Sequence, residues 1–146
     1  MLSKMSSSAG KIQELELKIP SNQELIGEVD RQIEDLTQRV GYDQVTCGKI
    51  IVAVNEAVKN AILHGNKCDK SKEVVITCQC SSELFCIHIC DFGGGFDPES
   101  IPDPRSPDNL LKESGRGVLM IRFLMDQVDF DISDRGTNVT LIKYAL

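Results

Sequence analysis

The sequence predicts an α+β domain of two layers, with three helices on one face of a mostly antiparallel, mixed sheet of about five strands. Three observations carry that expectation. Two stretches with apolar residues at helical spacing follow one another directly, Leu25 to Val40 and then Asp43 to Asn66. Four runs with β patterning come as two pairs, joined at Ser81-Ser82-Glu83 and at Asp134-Arg135-Gly136. The order that results, β-α-α-β-β-loop-α-β-β without internal repeats, places helices on one side of hairpin-linked strands.

Each element has its own signals. Residues 1–10 are rich in serine and are expected to be disordered, leaving one domain over 11–146. Lys11 to Ile19 alternates with Leu15, Leu17 and Ile19 on one face, and Pro20 stops that strand. Ser21 and Glu24 have the S-x-x-E spacing of a capping box ahead of a helix of about 19 residues, ended near Gly41. Asp43 can cap the central helix, which closes at His64-Gly65-Asn66, where Gly65 suits a left-handed C-terminal position. Glu73–Cys80 and Leu84–Asp91 form the first hairpin, with Val74, Ile76 and Cys78 on one face and Phe85, Ile87 and Ile89 likewise. A long polar and proline-containing loop runs on to Ser114, and loops of that length in a compact domain are commonly functional lids. Gly115 to Met125 reads as a third helix, followed by closing strands Val128–Ser133 and Thr137–Tyr144.

Composition narrows the function. The 146 residues carry a net charge of −6 and a pI near 4.9, with no basic stripe for a phosphate backbone, so direct nucleic-acid binding is not expected. No apolar run reaches membrane-spanning length and the N-terminus lacks a secretion signal, which leaves a cytoplasmic location. Six cysteines then read as small apolar residues rather than a disulfide framework. The cluster Cys78, Cys80, Cys86 and Cys90 lacks the paired C-x2-C knuckles of a zinc site.

The chemistry centres on the helix Ile50–Asn66. Glu56, Asn60 and His64 stand four residues apart, so a continuous α-helix stacks them on one face. A carboxylate and a carboxamide on a largely buried helix are costly unless something binds them. Asp91 ends an apolar strand and precedes three glycines, where it can accept a hydrogen bond from an exocyclic amine while the glycines let backbone approach a ligand. Gly115-Arg116-Gly117 opens the third helix, and amides at a helix N-terminus bind phosphate. These features amount to an adenine contact, a phosphate cradle and a cation ligand. There is no G-x-x-x-x-G-K-[ST] loop and no third glycine of a dinucleotide fingerprint. Asp91-Phe92-Gly93 matches the kinase metal triplet without the H-R-D or V-A-I-K elements that would accompany it. His64 fits a helix-end partner for the last carbonyls, His88 a structural strand residue, and Arg116 a phosphate contact ahead of Arg105 in the loop.

E-A-V-K-N-A-I-L-H-G, D-F-G-G-G-F-D-P, S-G-R-G-V-L-M-I and G-T-N-V-T resemble, in order, the N box, two glycine boxes and final strand motif of the Bergerat-fold, histidine-kinase-like ATPase superfamily. The compact length and the exact forms of the first two motifs resemble bacterial anti-sigma-factor serine/threonine kinases. The similarity runs from about residue 12 to the end. It implies that Glu56 is the catalytic base and that Asn60 holds Mg2+ between the ATP phosphates. It further implies that Asp91 binds the adenine amino group beside Thr137, that Gly93 and Gly95 shape the adenine pocket, and that residues 98–114 are the ATP lid. Gly115, Arg116 and Gly117 would cradle the phosphates. The implied activity is transfer of phosphate from ATP to a hydroxyl of an anti-anti-sigma antagonist protein, with partner switching onto a sigma factor and a homodimeric assembly. Glu28 departs from the basic residue such kinases carry on the first helix. The alternative is a catalytically silent ATP-sensing module that binds partners. A histidine-kinase fragment would need a preceding dimerisation helix with a phosphoacceptor histidine.

Overall fold

The computed structural model describes residues 2–5, 11–94 and 113–145. Its strands are β1 (Leu2–Met5), β2 (Gln13–Pro20), β3 (Glu73–Cys80), β4 (Leu84–Cys90), β5 (Gln127–Ser133) and β6 (Gly136–Tyr144). They form one sheet in the order β1-β2-β3-β4-β6-β5, and every neighbouring pair is antiparallel. The mixed character expected from the sequence is therefore absent among the described strands. β1 is the addition, because Leu2–Met5 pairs along the edge of β2 where disorder was expected. The physical reason is the open row of backbone donors and acceptors on β2, which any extended segment can pair with irrespective of its composition.

Helices α1 (Ile26–Val40), α2 (Gln44–Asn60) and α3 (Glu113–Leu124) cover one face of the sheet. Alternation decides which side chains meet them: Leu15, Leu17 and Ile19 of β2 and Phe85, Ile87 and Ile89 of β4 are buried, while Glu14, Glu16 and Lys18 point the other way and are exposed. The helices answer with Val29, Ile33 and Leu36 from α1 and Ile50, Val54 and Val58 from α2, all almost fully buried. Among the described residues no helix is long and apolar enough to cross a membrane.

The helix ends correct two expectations. Asp43 caps α2 as expected, accepting from Thr46 N at 2.7 Å. At the start of the first helix it is Asn22 that accepts from Glu24 N, 3.0 Å, ahead of a 3-10 turn at Gln23–Leu25. Ser21 instead donates to Lys72 O at 2.6 Å, because its place at the β2–α1 junction puts it against the start of β3. The second correction concerns the end of the central helix. Beyond Asn60 the chain makes a π turn over Ala61–Gly65, with Asn66 N bonded to Ala61 O at 2.8 Å. Gly65 is not left-handed there; the positive φ angles fall at Lys67 and Cys68. The wider turn also takes His64 out of the register with Glu56 and Asn60 that a continuing α-helix would give.

All six cysteines are free, and among the described residues no group of three or more His, Cys, Asp or Glu could hold a metal. Burial pushes the Cys80 thiol up to about 11, which suits an inert core residue. His88 sits on the open sheet face, its Nδ1 2.9 Å from Thr140 Oγ1 across the β4–β6 ladder.

Candidate nucleotide site

The end of α2, its π turn, the end of β4 and the start of α3 meet at one edge of the sheet. Asp91, only 4% exposed, has its carboxylate held there by backbone amides. Its Oδ1 accepts from Gly93 N and from Thr137 N, each at 3.2 Å, while Asp91 N donates to Thr137 O at 3.0 Å. Thr137 is thus beside Asp91, as expected, and is itself buried. Burial raises the Asp91 carboxyl above the usual carboxylate range, and the two amide bonds pull partly against that rise. Its other oxygen, Oδ2, lies over Gly65, where a methyl group on that residue would run into the carboxylate. That close approach is what makes glycine necessary at position 65. Gly93 fits equally tightly, against the Gly65 carbonyl. A cleft of about 200 Å³ opens beside Asp91, bordered by Phe92, Arg135 and Thr137 among others.

One residue binds this corner together. Asn66, 2% exposed, accepts from Phe92 N through Oδ1 at 2.8 Å, and its Nδ2 donates to Ser21 Oγ at 2.9 Å and to Glu73 O at 3.1 Å. A single carboxamide therefore ties the glycine box to the beginnings of α1 and β3. Sequence reading treats Asn66 only as part of a helix end, since hydrogen bonds spanning 45 and 26 residues leave no local pattern. Gly136 is missed likewise: beyond its turn role, with φ near +144°, its Cα faces the Asp91 carbonyl so closely that no side chain fits.

The other end is less complete. Asn60 is 4% exposed, and its Nδ2 has no hydrogen-bond partner among the described residues. Glu56, one turn earlier, is half-buried and 3.7 Å from Lys59 Nζ. Facing both is Gly117, where a methyl group would lie 2.7 Å from Glu56 Oε2 and 3.9 Å from Asn60 Oδ1. A cleft of about 210 Å³ opens between the helices, lined by Glu56, Lys59, Arg116, Gly117 and Met120. α3 begins at Glu113, two residues before the glycine box, so Gly115 and Arg116 lie within its first turn. Their amides are among the four a helix leaves without internal partners. Gly95, Arg105 and the lid residues 98–112 fall outside the described residues; 113 and 114 start α3.

Asn60 suits a magnesium ion that arrives with a nucleotide. A buried carboxamide with one end unpaired supplies a hard oxygen once its amide is oriented, and Mg2+ commonly takes one or two protein ligands together with phosphates and water. A resident metal centre would need the ligand cluster that the described residues lack.

A buried carboxylate at one end, and a second carboxylate, a carboxamide and a helix N-terminus at the other, have the chemistry to take a purine nucleotide with its phosphates. Comparisons with known proteins bear on the family. Residues 19–143 match the family described as "Histidine kinase-like ATPase domain", and the chain belongs to that family, whose substrate is ATP. It is 29% identical over 136 residues to the serine-protein kinase RsbW of Oceanobacillus iheyensis, covering 89% of this chain and 85% of that one. It is 32% identical over 123 residues to the anti-sigma F factor of Clostridium perfringens, covering 81% of this chain and 79% of that protein. Among solved structures, the RsbU and RsbW domains of Rv1364c from Mycobacterium tuberculosis match with a TM-score of 0.66 at 18% identity, over 89% of this chain and 32% of that one. A blue-light activated histidine kinase from Erythrobacter litoralis matches with a TM-score of 0.55 at 20% identity, over 87% of this chain and 62% of that one. At those identities the solved structures support the fold, an ATPase-type two-layer domain.

Proposed function

We propose that this chain is an ATP-dependent serine/threonine protein kinase of the anti-sigma type, whose substrate is a hydroxyl of an anti-anti-sigma antagonist protein. The observation that carries the reading is Glu56, a half-buried carboxylate that faces Gly117 in the cleft beside the N-terminus of α3. Phosphoryl transfer asks a protein for positioning, charge neutralisation and one group to receive the hydroxyl proton. Asp91 Oδ2 accepts from the adenine amino group, with Thr137 beside it and Gly93 shaping the pocket. Gly115, Arg116 and Gly117 cradle the phosphates, through the amides of the first turn of α3 and the Arg116 guanidinium, with Gly117 leaving room beside Glu56. Asn60 Oδ1 would hold Mg2+, which when bound neutralises phosphate charge. Glu56 takes the hydroxyl proton as the substrate oxygen bonds to the γ-phosphorus and the bond to the ADP oxygen breaks.

The relatives' names support the biological role. The unphosphorylated antagonist competes with a sigma factor for this chain, and phosphorylation shifts that exchange. The working form is a cytoplasmic homodimer that makes no direct contact with nucleic acid. Incubation of purified protein with labelled ATP and candidate antagonists tests the chemistry. Label is expected on one antagonist and is expected to fall by about a hundredfold or more with Glu56→Ala, in keeping with general-base contributions, while calorimetry still registers ATP binding. ATP bound with no label transferred to any antagonist would establish the silent sensing module instead.

A further inference from the structure

The surface that leads into the Glu56 cleft has an unusual composition. α3 buries Val118, Ile121 and the Gly117 side against the molecule, yet its outward stripe is Arg116, Leu119, Met120 and Phe123, at i, i+3, i+4 and i+7. Leu119 and Met120 are each 40% exposed and Phe123 is 85% exposed, the highest value for any large apolar residue described. α2 does the same on its outer side, where Val45 (68%) and Val52 (42%) alternate with exposed Lys49 on the face that continues into Glu56 and Lys59. The two stripes converge on one cleft, because Met120 and Arg116 from α3 and Glu56 and Lys59 from α2 line it together. Five of the ten exposed large apolar residues described therefore lie on the two stripes that meet at this cleft, Met120 in its lining. Isolated apolar residues on a surface mean little, but a group on two adjoining helices marks a place where something docks.

Charge indicates what docks. The chain carries −6 overall, yet the charged side chains on these two stripes are Lys49, Lys59 and Arg116 against Glu56 alone. Arg122, on the flank, stacks over Phe130, with its guanidinium carbon 5.3 Å from the ring centre. A basic rim on an acidic protein favours an acidic partner and steers its approach.

We infer that the α2–α3 face is the substrate-docking surface: an apolar, acid-flanked segment of the antagonist protein lies on Phe123, Leu119 and Val52, with Lys49 and Lys59 pairing its carboxylates, so that its hydroxyl enters the cleft at Glu56. This rests on the kinase reading and adds the surface that selects the substrate. Apolar anchors with a charged rim are the usual division of labour in such interfaces: the anchors set residence time and the rim sets the rate of encounter.

Steady-state transfer with the antagonist that accepts label from the wild-type chain tests it, with three variants. Phe123→Asp is expected to raise KM for the antagonist at least tenfold while ATP affinity and kcat at saturating antagonist stay within twofold. Lys49→Glu, remote from the cleft, is expected to raise KM severalfold and to flatten its dependence on salt. Tyr144→Asp, an equally exposed ring on β6, is the control and is expected to leave KM unchanged. An unchanged KM in Phe123→Asp overturns the docking surface, and so does an equal rise in Tyr144→Asp. A change in self-association by sedimentation with KM unaltered makes this face a contact between copies of the chain, which also overturns it. In each of those outcomes the wild-type kinase reading stands. If the wild type labels no antagonist at all, that reading fails and the docking surface falls with it.

Discussion

The two ends of the nucleotide site are built in opposite ways. At the adenine end the protein has satisfied nearly everything before a ligand arrives. Asp91 Oδ1 has two backbone donors, Asn66 has three partners in three separate segments of the chain, and glycines at 65, 93 and 136 let the backbones close around them. At the phosphate end the Asn60 amide is buried without a partner, and Glu56 looks into an open cleft with Lys59 as its one ion-pair partner among the described residues. Buried polar groups are normally paired, so the orphan amide one turn from Glu56 is what the proposed kinase reading expects of a group that the ligand completes. On that reading the Asp91 end is preorganised by the fold, whereas the Glu56 end is completed by ATP and its metal ion.

Substitutions at each end should break that contrast in different ways. The largest effect is expected from Asp91→Asn. Its amide oxygen keeps the two backbone donors, which turns the Oδ2 position into an NH2 facing the adenine amino group. ATP affinity should fall by about tenfold to a hundredfold, the worth of a hydrogen bond to a charged group, while the apo protein melts no lower because a buried charge is gone. Calorimetry and a melting curve check both; undiminished ATP affinity would remove Asp91 from the adenine contact.

Asn66→Ala should come next. It leaves Phe92 N and the Glu73 carbonyl without their partners in a buried corner, at a cost of about 1–3 kcal/mol. The melting temperature should drop by several degrees, with ATP affinity falling more than catalysis at saturating ATP. Asn66→Asp, which restores the acceptor for Phe92 N, should recover part of the affinity. Asn60→Ala, by contrast, removes an unpaired amide and should leave the apo melting temperature the same or higher. Its signature is the loss of the affinity that Mg2+ adds to ATP, and Mg2+-dependence equal to wild type would falsify the metal role.

The smallest effect is on pH. With its pKa raised by burial, Asp91 protonates at a higher pH than an ordinary aspartate, so its adenine contact should weaken as pH falls through that raised value. The stability sign is opposite: the folded carboxyl holds its proton more tightly than the unfolded one, so this group's destabilising contribution fades as pH falls through the folded pKa. Adenosine titrations compared between wild type and Asp91→Asn isolate the effect from phosphate ionisation. A pH profile identical in the two proteins would contradict it.

Local patterns carried much of this molecule into view. The order of the helices, the two hairpins and the cap at Asp43 follow from periodicity and turn residues, and the nearness of Asp91 and Thr137 from the family resemblance. The π turn did not, since Ala61–Gly65 continues a helical pattern, and the close packing of Gly65 against Asp91 joins residues 26 apart in the chain. Ser21 shows the same limit. Its capping spacing is a local preference of modest size, and a hydrogen bond to Lys72 O, 51 residues away, replaces it.

By itself the sequence determined which residues have the chemistry that the proposed site asks for: a carboxylate and a carboxamide on one helix, an acid at a strand end and glycines at two approaches. Side-chain type and short-range spacing are local properties, and a single chain displays them directly. Only the tertiary structure decided how those groups are supported. Asn66 and Gly136 matter because segments distant in the chain close on Asp91, and Phe123 stands exposed because α3 turns its other face to α2. Burial and long-range pairing are properties of the packed whole, so no local stretch announces them.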